Sequence, residues 1–503
     1  MQTASHSDPR SLKGLGRDTM IYGLGTILGR VASFFMLPVY TRFLTPADYG
    51  ILQILDLTLE IAALVVSAGA TAGLARFYFK AETVEGKNQV LFTGYLTQVA
   101  LNLIGAVLLL AAAPLIWRTV LSESGSVLMV QVASINFVTG VLSAVPVAMF
   151  RLDQRPVAAV TISICRLVLV LSLNILFVVG LEWGPLGMLV STLVTNVLLG
   201  LVMSTILLRR TGLAFKWTVF RDFRRFAIPM QLSAAGGFII QFGDRFFIEA
   251  HHGVAAVGLY GIAYQFGFML SGLIAHPFGN AWRPRAYQLV NHPREVRDRA
   301  YNRALIVLDL FLVTAAVVVA AFIRPILIIM TTPQFYAAAP LVPVLLVGTI
   351  FHNWVGNVVF GITVSERTRY VAIYNWITVA LVLVLYAVLI PPYGAMGAAV
   401  ATLISMAVKA GLAYWFSQRL WPISYEWHRH LLLLSAAVVT MAAVFVLDPA
   451  GLVTQLVTGT VATLAYGTFV WFVVLRPEER SMFRTLATDP RQIWNMLVPR
   501  ESR

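Results

Sequence analysis

The chain has 503 residues, 58% hydrophobic and only 12% charged, and a formal net charge of +14. A soluble domain carries about 25% charged residues, so an ordinary soluble protein is excluded. The basic residues sit beside apolar runs rather than in a nucleic-acid-binding patch, and the single cysteine, Cys165, leaves no disulfide framework and no CxxC pair for metal or redox chemistry.

Charges collect in short polar stretches between apolar runs of roughly 20 residues or more, the length a helix needs to cross a bilayer core. Residues 1–18 are polar, and the mostly apolar run after them is too long for a signal-peptide core. The run 19–43 therefore reads as a retained first span. The remaining runs are 47–75, 89–114, 125–150, 157–181, 185–208, 226–250, 254–280, 303–330, 338–364, 370–390, 393–418, 430–447 and 451–475. Thr45-Pro46, Trp183-Gly184-Pro185, Pro391-Pro392 and Asp448-Pro449-Ala450-Gly451 punctuate several joints, as hairpins between antiparallel helices require. The fold class is an all-α polytopic membrane protein of about 14 helices.

Lys and Arg set the orientation. With the N-terminus inside, the cytoplasmic segments hold 30 of them, and the opposite side keeps three, Arg42, Arg118 and Arg324. A wrong span count would scramble that alternation, so both termini are expected in the cytoplasm. The basic stretch 209–225, with Arg209, Arg210, Lys216, Arg221, Arg224 and Arg225, reads as a cytoplasmic linker, and equally as an anchor on anionic headgroups.

The flanking segments repeat. Gly184-Pro185-Leu186-Gly187, followed by Thr192-Leu193, matches Gly394-Ala395-Met396-Gly397, followed by Thr402-Leu403, at a constant offset of 210. Ala47-Asp48-Tyr49-Gly50-Ile51-Leu52 matches Ala255-Ala256-Val257-Gly258-Leu259-Tyr260 at 208. Two parallel six-helix repeats follow, 1–208 and 226–418, with two extra C-terminal helices over 419–475 and a cytoplasmic tail over 476–503. Transporters built this way rock one half against the other over small-residue contacts such as Gly25-xxx-Gly29-xxx-Ser33 in span one and Ser233 to Gly237 in span seven.

Two passages carry a family resemblance. Span one into span two reads Thr26-Ile27-Leu28-Gly29-Arg30, then Leu37-Pro38-Val39-Tyr40-Thr41-Arg42-Phe43-Leu44, then Asp48-Tyr49-Gly50. Span seven into span eight reads Ile228-Pro229, then Asp244-Arg245-Phe246-Phe247-Ile248, then Val257-Gly258-Leu259-Tyr260-Gly261-Ile262-Ala263. The chain resembles bacterial polysaccharide-biosynthesis membrane proteins, the oligosaccharide flippases of the multidrug/oligosaccharidyl-lipid/polysaccharide exporter superfamily. The resemblance implies an inner-membrane protein without cofactor. It would carry an undecaprenyl-pyrophosphate-linked oligosaccharide to the periplasmic leaflet through a basic central cavity, with membrane lipids, a polymerase and glycosyltransferases as partners.

Ionisable groups at bilayer depth cost about 2.5–3.5 kcal/mol each on insertion scales, so each needs a partner or a role. The basic ones, Arg30, Arg166, Arg245 and Lys409, are the substrate-binding candidates, because guanidinium forks and ammonium groups suit a diphosphate. The acidic ones, Asp56, Glu60, Asp244 and Asp309, are candidates for coupling or for ion pairs; Asp56 and Glu60 share a helix face. His276 and His352 lie in apolar runs, where a proton-linked role competes with the commoner hydrogen-bonded core histidine. No catalytic or metal motif occurs in the loops, so an enzyme is not expected. A peptidoglycan-precursor flippase would be expected to have a denser cationic set in the first half, and a cation-coupled drug exporter an acidic, aromatic cavity.

Overall fold

A computed structural model of the chain describes residues 29, 32, 35–66, 70–122, 124–447, 449–477 and 479–480. The described residues form helices and no strand. In chain order the first are Leu37–Phe43 (α1), Pro46–Val66 (α2), Ala70–Lys80 (α3), Val84–Ala111 (α4), Ala113–Thr119 (α5), Val127–Thr139 (α6) and Ala144–Leu152 (α7). Pro156–Asn174 (α8), Gly184–Thr211 (α9), Trp217–Phe242 (α10), Asp244–Leu270 (α11) and His276–Gln288 (α12) follow. The rest are Arg294–Ala321 (α13), Ile323–Met330 (α14), Leu341–Val358 (α15), Phe360–Val364 (α16), Arg369–Leu420 (α17), Trp427–Leu447 (α18) and Leu452–Phe469 (α19).

Among the described residues, 11 helical stretches are long and apolar enough to cross a membrane. They coincide with predicted spans two to fourteen, because spans seven and eight run together over Ala235–Asn291, and eleven and twelve over Arg369–Leu420. A left-handed glycine breaks each merged stretch, Gly253 (φ 76) and Gly394 (φ 55). A side chain would be strained at either position. The second break falls two residues past the Pro391-Pro392 joint read from the sequence. Most of span one lies outside the described residues.

The helices wear their apolar groups outward. Val453, Val457, Val461 and Leu464 form an exposed stripe along α19, and Leu103, Ile104, Val107 and Leu108 another on α4. Such rows face acyl chains, since no soluble surface would carry them. The protein is a multi-pass membrane protein.

Contacts divide the chain into two compact units, Met1–Gly258 and Leu259–Arg503. In the first, Pro156–Gly180 is only 11% buried and peripheral. In the second, Arg294–Ala321 is 72% buried and central, packed by α15, α18 and α19.

Helix packing in lipid depends on close backbone approach, which small residues permit. The first unit has an extreme case. A side chain on Gly50 of α2 would strike the Val254 carbonyl of α11, and one on Gly258 would strike the Pro46 carbonyl, so the two glycines interlock reciprocally. These are the glycines matched in the sequence repeat. The other matched pair behaves alike: Gly187 lies against the Phe177 backbone of the preceding span, and Gly397 against the Leu389 and Ile390 backbone of its own preceding span. Gly184 (φ 57) and Gly394 (φ 55), 210 residues apart, both have positive φ.

One end of the first unit is closed by polar groups over a hydrophobic cluster that includes Leu74, Leu91, Met149 and Phe223. Arg210, from the last turn of α9, pairs with Asp153 after α7, and the Tyr78 hydroxyl of α3 donates to the same carboxylate at 2.6 Å. Phe223 sits in this cluster and the Lys216 amide donates to Thr93 at 3.0 Å, so the stretch read as a linker is packed into the unit. Burial pushes the Asp153 carboxyl up, but the hydrogen bonds from Arg210 and Tyr78, with the charges of Arg210 and Arg155, hold it below the usual carboxylate range. A depressed folded-state pKa adds stability above the ordinary carboxylate pKa and loses it as pH falls through the folded value. Acidification from pH 7 to 3 is therefore expected to lower the melting temperature of the detergent-purified protein by less in Asp153→Asn than in the parent. Equal acid sensitivity would show that the pair contributes nothing.

Candidate functional site

The second unit holds a cavity of about 450 Å³, large enough for a phosphate-sized group with its water. Three helices build it. From α12 come His276, Asn280 and Arg283; from α15 come His352, Asn353 and Asn357; Leu308 of α13 closes one side. Spacings of four and three residues put His276, Asn280 and Arg283 on one helical face.

The sequence fixes that face through its neighbour. Trp282 and Ala286 of α12, with Leu289 just past its end, are buried in an aromatic cluster with Tyr301 and Phe360, and the Tyr301 hydroxyl donates to the Ala286 carbonyl at 2.8 Å. The helix is thereby held by one side while the adjoining side opens on the cavity. A wide π-helical turn over Ser271–Ala275 leads directly into His276 and resets the register; such turns are frequent at functional sites. Gly279 and Gly356 flank the Arg283 side chain, where an added Cβ would come to 3.9 Å from Nε and 4.0 Å from a terminal nitrogen. The guanidinium thus lies across two bare stretches of helix.

The electrostatics are one-sided. No carboxylate lines the cavity among the described residues. Arg283 is exposed to the open space, and no ion pair holds it among the described residues. His276 and Lys409 of α17 both lie within electrostatic reach of His352. Asn353 is steadied by its amide, which donates to the Ser271 hydroxyl at 2.9 Å and to the Thr349 carbonyl at 2.8 Å. Both N–H groups of Asn353 are thereby spent, and the arrangement offers an anion the Arg283 charge and the amides of Asn280 and Asn357.

Of the residues read from the sequence, the structure brings Lys409, His276 and His352 into this neighbourhood. The two histidines line the open wall rather than the core. Arg283 was missed: it falls in the basic stretch 281–303, which charge counting assigns to a loop, whereas α12 continues to Gln288. The signal was the spacing of Arg283 from His276 and Asn280. The others lie elsewhere. Arg166 of α8 donates to Asn196 of α9 at 2.8 Å. Arg245 pairs with Asp244 at 2.6 Å, both buried, and also donates to the Gln241 carbonyl at 2.9 Å. Asp56 and Glu60 are exposed one turn apart on α2. Asp309 is buried and bonded on both oxygens. Arg30 lies outside the described residues.

Comparison with known proteins fits this architecture. A lipid II flippase MurJ in an inward closed conformation matches with a TM-score of 0.70 at 14% identity, over 91% of this chain and 100% of that one. An inward-facing multidrug resistance MATE family transporter of the MOP superfamily matches at 0.56 and 17%, over 80% and 93%. A MOP superfamily transporter from Pyrococcus furiosus, whose title reports a binding pocket of reversed polarity, matches at 0.57 and 14%, over 83% and 98%. The helical fold is that of MOP superfamily transporters. The model of the family described as polysaccharide biosynthesis protein matches residues 15–290, more than half of the chain, and the chain belongs to that family. No curated protein matches.

Proposed function

We propose that the protein is a flippase that carries undecaprenyl-pyrophosphate-linked oligosaccharide units across the bacterial inner membrane by alternating access, for cell-surface or exopolysaccharide synthesis. The observation that carries this reading is the carboxylate-free basic cavity of the second unit in a chain of the polysaccharide biosynthesis family. Arg283 offers the diphosphate a planar fork of donors, and Lys409 adds a point charge nearby. Arg30, mid-way along span one, is a further contact: a lone guanidinium at that depth is too costly to face lipid. A drug exporter for organic cations would need an acidic pocket, and no carboxylate lines this cavity among the described residues. The reading is tested by deleting the gene and complementing with the parent chain. Accumulation of lipid-linked oligosaccharide on the cytoplasmic leaflet, cleared by the parent, is expected; normal surface glycan in the deletion strain would refute it.

The proposed orientation places both termini and the 209–225 and 281–303 segments in the cytoplasm, on the strength of the 30-to-3 basic split. Reporter fusions after Arg210, Arg303 and Arg476 are expected to signal only from the cytoplasm. A periplasmic signal at any of the three would break the topology.

A further inference from the structure

Behind the cavity wall sits a buried acid–base pair that anion binding does not use. Asp309 of α13 and His430 of α18 are 0% and 1% exposed. The His430 Nδ1 lies 2.6 Å from the Asp309 Oδ2, and the Trp354 indole N–H of α15 donates to the Oδ1 at 2.8 Å. Both carboxylate oxygens are therefore engaged, each by a different helix. The His430 ring is flanked by the Trp427 ring at 5.6 Å and the Trp354 ring at 6.4 Å between centroids.

The pair has two accessible charge states separated by a single proton. With the imidazole neutral, the site carries one net negative charge, held by hydrogen bonds from Nδ1 and the indole. With the imidazole protonated, the site is a neutral ion pair beside two indole rings. Few other groups face the pair. Tyr466 of α19 acts electrostatically on Asp309. On α15, His352 is turned to the cavity. On α18, Arg429 is engaged by Glu426, Glu479 and the Val474 carbonyl.

We propose that Asp309 and His430 form a one-proton binding site whose occupancy sets how tightly the α18–α19 hairpin is held to α13. The bond joins the central helix of the unit to the first turn of α18, so gain or loss of the imidazolium charge acts where the hairpin begins. The site also adjoins the cavity. Leu308, next to Asp309, lines it, and so do His352, Asn353 and Val355 around Trp354. On the flippase reading, which this last link requires, proton binding is therefore transmitted to the substrate cavity through α13 and α15.

The test begins with the full-length purified protein and no substrate. Between pH 5 and 9 the parent is expected to show a one-proton step in tryptophan fluorescence, because an imidazolium against Trp354 and Trp427 quenches them. Hydrogen exchange in 427–474, corrected for intrinsic rates, should slow at least about fivefold on the protonated side, a typical coupling between two bound states. His430→Gln keeps a donor toward Asp309 but cannot titrate, and should abolish both effects. If Asp309→Asn does not fold, the parent and His430→Gln suffice. A fluorescence step unchanged in His430→Gln, or pH-independent exchange in the parent, would overturn the site. Reconstituted vesicles separate the two readings. Flipping that keeps its full response to a pH gradient in His430→Gln overturns the coupling and leaves the flippase intact. An intact proton step in a parent that flips no oligosaccharide supports the site and removes the flippase.

Discussion

Arg283→Ala is expected to cut surface-glycan export by about 10- to 100-fold, the worth of a charge-assisted hydrogen bond of about 1.5–3 kcal/mol, with protein level and topology unchanged. Its side chain is exposed to the cavity beside Gly279 and Gly356, so the loss should fall on transport and not on folding. Arg283→Lys should recover only part of the export, because an ammonium keeps the charge and loses the bidentate fork. Export at the parental level in Arg283→Ala would remove this residue from the substrate path.

Gly50→Ala and Gly258→Ala should have the largest structural effects in the molecule. A Cβ at either position runs into backbone carbonyl atoms of the other helix, which cannot rotate aside as a side chain would. The helices must separate, at a cost at or above the upper end of the usual 1–3 kcal/mol for overpacking. A fall of about 5 °C or more in the melting temperature in detergent is expected. Gly411→Ala is the control, since nothing lies within 4 Å of a Cβ there. It should be neutral or slightly stabilising, as alanine in a helix interior normally is. Equal melting temperatures for Gly50→Ala and Gly411→Ala would show that the two backbones do not meet so closely at this crossing.

The spans were legible because bilayer thickness imposes a length on every apolar run. The glycine motifs were legible too, as an offset. Gly50 and Gly258 meet at one crossing, and Gly184 and Gly394 share a positive φ, because close approach requires glycine and that backbone region favours it. The site was less legible, for a physical reason. Residues 281–288 mix Trp, Arg and Pro and fall past the apolar run 254–280, so they read as a polar connection, whereas burial of Trp282 and Ala286 holds them in the helix. His430 was hidden likewise, in the polar first turn of a span whose apolar body draws attention away. Asp309 stood out as an acid in a membrane helix, but its imidazole partner is 121 residues away and no pattern in the chain links them.

The central claim is that the basic cavity of the second unit handles a lipid-linked diphosphate. Its most direct test is flipping by purified protein in vesicles loaded with a fluorescent undecaprenyl-pyrophosphate oligosaccharide, scored by a membrane-impermeant quencher. The parent is expected to expose the inner-leaflet pool to the quencher, and Arg283→Ala to slow that exposure by about tenfold or more. Parent and variant flipping at the same rate, or vesicles with parent no faster than empty ones, would contradict the account.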